Sequence, residues 1–276
     1  MRNTWAVCKR EFASYFVRPM GYIVVGIFAL IAGLAFSISF LTYVDMSQAP
    51  GDYAYASVPD FEETLLSPYL VFCGLLIMFL SPLLTMRLLA EEKQRGTIEL
   101  LLTHPLRDRE IIFGKYLAAL GMVLVMMFII SVNLGLVAFF VNIEPAVLVF
   151  GVLTVFLMSG AFISLGLFVS AVTRHQITAG VITFGLFFLF YILGAVGEDL
   201  PTENPAPEVW PELMRTAAAG GYTVFRTLVI ELSLDAHARD MALGIVQPQD
   251  IAYYVLFSAL FLFLTFRALE SRNWRA

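Results

Sequence analysis

The sequence predicts an all-α integral membrane protein with six transmembrane helices, an N-terminal amphipathic interfacial helix and a short cytoplasmic helix. Of the 276 residues, 59% are hydrophobic and only 14% are charged, whereas soluble domains average about 25% charged. The apolar residues are concentrated in runs long enough to cross a hydrocarbon layer of ~30 Å. These observations exclude a soluble globular enzyme and predict one transmembrane domain over residues 1–276.

Six apolar stretches are predicted as the spans. They are residues 21–44, 65–86, 116–141, 146–172, 177–196 and 251–266. The sixth stretch is short, since its length corresponds to a helix of only ~24 Å, so the helix has to continue beyond Arg267 through Ala268 and Leu269. The first stretch is too long for the hydrophobic region of a signal peptide, and we therefore expect the N-terminus to be retained.

Lysine and arginine residues predict the orientation of the chain, because short loops rich in them stay in the cytoplasm. With the N-terminus inside, 14 of the 17 basic residues lie on the inner side. The outer side then holds Arg215, Arg226 and Arg239. We therefore expect a multi-pass protein with both termini in the cytoplasm. The formal net charge of -5 and the lack of a basic face exclude a nucleic-acid partner.

The residues before the first span predict an amphipathic helix on the inner membrane surface that ends at Pro19. Aromatic and apolar side chains recur at helical spacing, at Trp5, Cys8, Phe12, Tyr15 and Phe16. We expect this stripe to lie among lipid headgroups, with the intervening basic residues facing anionic lipid. A plain positively charged flank is the alternative.

The inner loop of residues 87–115 has the pattern helix, break, short helix, break. Gly96 can adopt the left-handed conformation that ends the incoming helix, and Thr97 can cap a short helix that stops before Pro105. Asp108 is a candidate cap for the helix of the third span. A short helix with apolar and acidic faces suits docking into a groove on another protein. A solvated hairpin is the alternative.

These residues resemble those of a known family. The run Glu91-x-x-x-x-Gly96-Thr97-x-Glu99-x-Leu-Leu-Thr103-x-Pro105-Leu-x-Asp108-x-Glu110 is similar to the signature of ABC-2 type permeases, the membrane subunits of ATP-driven exporters. The resemblance covers the whole chain and implies that the short cytoplasmic helix is a coupling helix that docks onto an ATP-binding cassette subunit. The coupling residues that it implies are Glu91, Glu92, Arg95, Gly96, Thr97, Glu99 and Pro105. Residues 244–254 and 269–274 resemble the gliding-motility-associated branch.

The resemblance also implies that ATP and magnesium bind a separate ATPase chain, with no catalytic residue, metal or cofactor on this one. Two permease subunits, identical or different, would pair with two ATPase subunits in the bacterial inner membrane. Gly114-Lys115 is not a phosphate-binding loop, because Tyr116 follows the lysine and Arg109 stands where that loop requires glycine. We expect Lys115 to be an anchor at the membrane edge, with its stem in lipid and its ammonium in water.

Within the predicted spans there is no Asp, Glu, Lys, Arg or His, which disfavours an ion-coupled carrier. Span four carries two small-residue pairs that permit close helix packing. They are Gly160 with Ser164, and Gly166 with Ser170. Packing within the subunit is the simpler interpretation, with a dimer or cargo face as the alternative. Pro82 is a candidate kink in span two.

The outer segment, residues 197–250, is predicted to contain two short helices broken at Gly220-Gly221, with Phe225 and Leu228 on one apolar stripe. By resemblance these helices are a candidate outer gate. The sequence as a whole thus predicts the permease subunit of an exporter. The alternative is a mechanotransmission or scaffolding subunit that moves a periplasmic partner without carrying cargo. No motif specifies the cargo.

Overall fold

The structure is a computed structural model that describes residues 2–48, 60–96, 107–138, 140–141, 144–201, 211–231, 234, 238, 241, 245 and 247–271. Over these residues the chain is helical, without a β-strand. A single π-helical turn, Glu62–Leu66, leads into the third helix. The helices are α1 (Arg2–Val17), α2 (Pro19–Gln48), α3 (Ser67–Thr85), α4 (Ala90–Gln94), α5 (Asp108–Ala138), α6 (Pro145–Val172), α7 (Gln176–Asp199), α8 (Glu212–Glu231) and α9 (Pro248–Glu270).

Six helices are long and apolar enough to cross a membrane: α2, α3 with its flanking turns, α5, α6, α7 and α9. This confirms the predicted all-α fold class with six spans. Helices α3, α5 and α6 form the centre of the bundle, whereas α2, α7 and α9 leave most of their surface uncovered by the chain. Helix α5 has 31 residues, a length of ~46 Å, so it extends beyond a ~30 Å hydrocarbon core.

The sixth span is longer than its apolar stretch. Helix α9 continues from Pro248 to Glu270 and has 23 residues, which corresponds to ~34 Å. Arg267 lies inside its last turn and pairs with Glu270 at 2.8 Å. The helix therefore continues past the arginine, as the sequence requires of a span at this position.

The outer segment corrects one prediction. Residues 212–231 form one continuous helix, α8, and Gly220 and Gly221 lie within it rather than at a break. Glycine lowers helix stability by about 1 kcal/mol but does not end a helix unless the backbone also turns. Phe225 and Leu228 are 54% and 61% exposed. The candidate gate residues thus lie on the uncovered side of a single helix.

Helix α8 is attached to the end of α7. The Tyr222 hydroxyl donates to the Pro201 carbonyl at 2.7 Å, and the Arg226 Nε donates to the Leu200 carbonyl at 3.5 Å. A Cβ on Gly197 would lie 3.2 Å from side-chain atoms of Val229 and Ile230. These contacts fix α8 against the chain that leaves the fifth span.

Helix α1 packs on α5. The sequence had instead predicted that its apolar stripe lies among lipid headgroups. A Cβ on Gly114 would lie 2.7 Å from the Val7 side chain, and one on Gly121 would lie 3.0 Å from the Phe12 ring. The two glycines of α5 therefore allow α1 to approach closely. Trp5, which was expected in the apolar stripe, is 68% exposed. The helix ends as predicted, because Pro19 begins α2.

Candidate coupling site

The second span is interrupted just before the predicted coupling residues. Helix α3 ends at Thr85, residues 86–89 form turns, and α4 begins at Ala90. Pro82 has no N–H, so the Met78 carbonyl loses its usual helical donor, and the Ser81 hydroxyl donates to that carbonyl at 2.9 Å instead. The sequence predicted a kink at Pro82, whereas the interruption lies four residues further along.

Side chains from two other helices form hydrogen bonds with backbone groups in this interruption and next to it. The Tyr15 hydroxyl of α1 donates to the Leu84 carbonyl at 2.9 Å. Ser170 Oγ of α6 accepts from the N–H groups of Leu89 and Ala90 at 3.1 and 3.0 Å, and it donates to the Met86 carbonyl at 3.3 Å. Because the first N–H groups of a helix have no partner within it, Ser170 acts as the N-cap of α4 from another helix.

Burial and the neighbouring Glu11 carboxylate raise the pKa of Tyr15 far above its ordinary value. Its hydroxyl therefore stays protonated and remains a donor to the Leu84 carbonyl. Burial also raises the pKa of the Cys8 thiol, two turns earlier on α1. Helix α1 thus provides a neutral hydroxyl donor next to the interruption.

The far end of α4 is closed in the way that the sequence predicts. Gly96 has a φ of 68°, and its N–H donates to the Lys93 carbonyl at 3.2 Å. This left-handed residue directly after the last turn is the usual helix stop that glycine provides. The Lys93 ammonium donates to the Ala171 carbonyl at the end of α6, so both ends of α4 contact that helix.

Glu91 is the centre of an arginine cluster. Its carboxylate lies 2.8 Å from Arg18, 3.1 Å from Arg87 and 2.7 Å from Arg95. Arg87 and Arg95 come from the same inner segment, but Arg18 lies at the junction of α1 and α2. The Glu91 carboxylate therefore joins the coupling segment to the start of the first span.

A second carboxylate on α4 pairs with Lys115, and this corrects the prediction for that lysine. The Lys115 side chain is only 1% exposed, and its ammonium lies 2.8 Å from Glu92 and 3.3 Å from Glu11. The ammonium therefore does not reach into water as a snorkelling anchor. Because α1 covers the base of α5, the lysine is enclosed, and two carboxylates offset its charge.

The small residues of span four lie at close helix contacts. A Cβ on Gly166 would lie 2.3 Å from Thr85 Oγ1, so α6 approaches the last turn of α3 closely. The Tyr116 hydroxyl of α5 donates to the Gly160 carbonyl at 3.2 Å. Ser164 is buried, and its hydroxyl donates to the Ala161 carbonyl at 2.7 Å. These contacts are within the subunit, and Ser170 adds the cap described above.

The structure therefore brings Glu91, Glu92, Arg95 and Gly96 together at the end of the second span. Thr97, Glu99 and Pro105 lie outside the described residues. The sequence did not identify Glu11, Arg18, Tyr15 or Arg87 as members of the site. For Glu11, Tyr15 and Arg18 the one signal was the position of α1 next to the first span. Arg87 is the first residue of the predicted inner loop.

The family model described as ABC-2 family transporter protein matches residues 5–274, nearly the whole chain. The chain belongs to this family. No curated protein matches this ABC-2 family transporter protein. Its six apolar helices and its family together make it a multi-pass membrane protein.

Proposed function

We propose that this ABC-2 family transporter protein is the permease subunit of an ATP-driven exporter of the bacterial inner membrane. ATP hydrolysis takes place on a separate ATP-binding cassette subunit, which also holds ATP and magnesium. Two permease subunits assemble with two ATPase subunits. Membership of the gliding-motility-associated branch is part of the proposal, and the C-terminal residues that resemble that branch support it.

One observation carries the coupling part of the proposal: α4 follows the second span directly and is tied to three other helices. Ser170 caps it from α6, Lys115 of α5 pairs with its Glu92, and Arg18 beside α1 pairs with its Glu91. A displacement of α4 is therefore transmitted to several spans at once. The segment of residues 95–105 is the proposed contact with the ATPase, and Arg95, Thr97, Glu99 and Pro105 belong to it.

The interruption at residues 86–89 is the proposed hinge at which α4 moves relative to α3. The Met86 and Leu88 N–H groups still bond to backbone carbonyls of α3, but the Met86 carbonyl and the Leu89 N–H bond to Ser170 instead. The helical ladder is therefore discontinuous here, and α4 can shift relative to α3 without breaking a continuous ladder. In the proposed orientation, α1, α4 and the base of α5 face the cytoplasm. Helix α8, with Gly220, Gly221, Phe225 and Leu228, then lies on the outer side as the proposed gate.

The proposal is tested by photo-crosslinking in native membranes. A photoreactive residue at Glu99 should form a covalent adduct with a P-loop ATPase, and the same residue at Thr223 of α8 should not. Thr223 is a suitable control because it is exposed on the opposite end of the bundle. If Glu99 yields no ATPase adduct although the protein is inserted normally, the coupling proposal is wrong.

Reconstitution of the complex in liposomes separates export from mechanical work. Vectorial, ATP-dependent movement of a cargo supports the permease. Stimulated ATPase activity without any cargo movement instead supports the mechanotransmission or scaffolding alternative, in which a periplasmic partner receives the motion.

A further inference from the structure

A groove of about 630 Å³ opens sideways between α5, α6 and α9, away from the coupling site. Its wall is mostly apolar, with Phe156, Leu262 and Phe266 among the lining residues, and it carries the hydroxyls of Tyr116 and Ser258. The volume lies within the range of small-molecule sites, which is roughly 300–1,000 Å³. The groove is therefore large enough for a ligand and lies on the side of the bundle.

One end of this groove carries a positive charge. Arg109, the second residue of α5, lines it, and its guanidinium carbon lies 5.8 Å from the centre of the Phe266 ring. The residue is exposed, and in the described part of the chain no carboxylate forms a salt bridge with it. An apolar groove that ends at an exposed guanidinium matches a ligand with an apolar tail and an anionic head.

The length of the groove points to a lipid rather than to a helix. Arg109 and Leu120 line it on α5, and eleven residues of helix separate them by ~16 Å. This is about half of a ~30 Å hydrocarbon core, or one leaflet. A spanning helix of a second copy would require a contact surface along the whole core. An acyl chain that enters from one leaflet needs only half of it.

We propose that the groove binds one acyl chain of an anionic phospholipid and that Arg109 binds the phosphate of this lipid. The lipid comes from the leaflet on the α1 side of the bundle, which is the cytoplasmic leaflet in the proposed orientation. A negatively charged cytoplasmic membrane surface attracts basic side chains such as that of Arg109. The lipid proposal requires only that α5, α6 and α9 cross the membrane. Its test is therefore independent of the proposal that the chain couples to an ATPase.

The headgroup contact is tested with the purified full chain and two lipids of equal acyl chains, phosphatidylglycerol and phosphatidylcholine. Native mass spectrometry should show one tightly held phosphatidylglycerol per chain and weaker retention of phosphatidylcholine. Arg109→Gln should weaken phosphatidylglycerol binding roughly tenfold and remove the preference. Arg107→Gln is the matched control, since Arg107 is exposed and lies two residues earlier. It should leave the phosphatidylglycerol affinity and the lipid preference unchanged.

The acyl-chain contact is tested by filling the groove. Ala259→Phe places a ring among the lining residues and should abolish retention of both lipids, whereas Ala252→Phe, at an exposed position of the same helix, should not. Equal retention of the two lipids by the unaltered chain would overturn the proposal. A loss of dimers with unchanged lipid retention in Ala259→Phe would also overturn it, because the occupant would then be a second copy. If that variant does not fold, Arg109→Gln decides alone.

Discussion

At the scale of single residues, Lys115 shows how much of the coupling site depends on charge compensation. Its ammonium is enclosed and lies between the carboxylates of Glu92 and Glu11. Removing one partner of a buried ion pair costs about 3–5 kcal/mol, because the remaining charge loses both its solvent and its counterion. Replacing all members by neutral groups costs much less.

We expect Lys115→Met to lower the apparent Tm of the detergent-solubilised protein by roughly 5–10 °C. The triple variant with Lys115→Met, Glu11→Gln and Glu92→Gln should recover most of this loss, since no mostly buried carboxylate then lacks the lysine. The cation that remains, Arg10, lies 2.7 Å from Glu11 but is exposed to solvent. Lys9→Met, at an exposed position on α1, should have no measurable effect. A triple variant that is no more stable than Lys115→Met would contradict the pairing.

Gly166 is a second residue whose role can be measured. A methyl group there would overlap Thr85, so Gly166→Ala should reduce the free energy of unfolding by roughly 1–3 kcal/mol. Gly135→Ala is the matched control on α5, where a Cβ would meet nothing within 4 Å. That control should be neutral or slightly stabilising, because alanine favours helix over glycine. The same thermal-shift measurement compares the two, and equal effects would exclude close packing at Gly166.

The sequence predicts residue roles well where the cause is local. The left-handed stop at Gly96 follows from its position after an amphipathic segment, and its φ of 68° agrees. The enclosure of Lys115 has a distant cause, since Glu11 lies on α1 and is brought to α5 only when the two helices pack. A charged residue at the end of an apolar run looks the same in the sequence whether another helix covers it or not.

At the scale of elements, the connection between α4 and α6 is the feature most open to experiment. Ser170→Ala removes a cap from the first two N–H groups of α4, which costs about 1 kcal/mol. Amide hydrogen exchange at Leu89 and Ala90 should therefore become roughly fivefold faster.

The control for this change is Ser37→Ala, because the Ser37 hydroxyl is exposed and bonds only to the Gly33 carbonyl of its own helix. It should leave exchange at residues 86–94 unaltered. Unchanged exchange at Leu89 and Ala90 in Ser170→Ala would show that the α6 hydroxyl does not hold α4.

The apolar runs predict the spans closely, since hydrophobicity and length determine which segments can cross a bilayer. They do not reveal the interruption at residues 86–89, because backbone groups in it and next to it bond to Tyr15 and Ser170, which lie far away in the sequence. For α8 the error was the opposite one, since the sequence predicted an interruption that the structure does not have. The low helix propensity of its two glycines predicted a break, but the flanking residues on both sides continue the helix.

At the scale of the whole molecule, the basic residues predict one orientation that labelling can test. Thr223→Cys in α8 should react with a membrane-impermeant maleimide in intact spheroplasts, whereas Lys9→Cys in α1 should react only after permeabilisation. The native thiols should add little background, because Cys8 and Cys73 are buried. The reverse pattern of labelling would invert the proposed topology and place the coupling site on the outer side.

The cap that Ser170 provides also has a consequence for biogenesis. Helices α1, α3 and α4 are synthesised before α6. During translation the N–H groups at the start of α4 therefore lack the Ser170 hydroxyl until α6 has been made. A nascent chain arrested after α5 lacks Ser170, so the Leu89 and Ala90 N–H groups lack the hydroxyl that they bond to in the complete protein. The arrival of α6 beside the second span is thus the earliest moment at which this joint acquires its native hydrogen bonds.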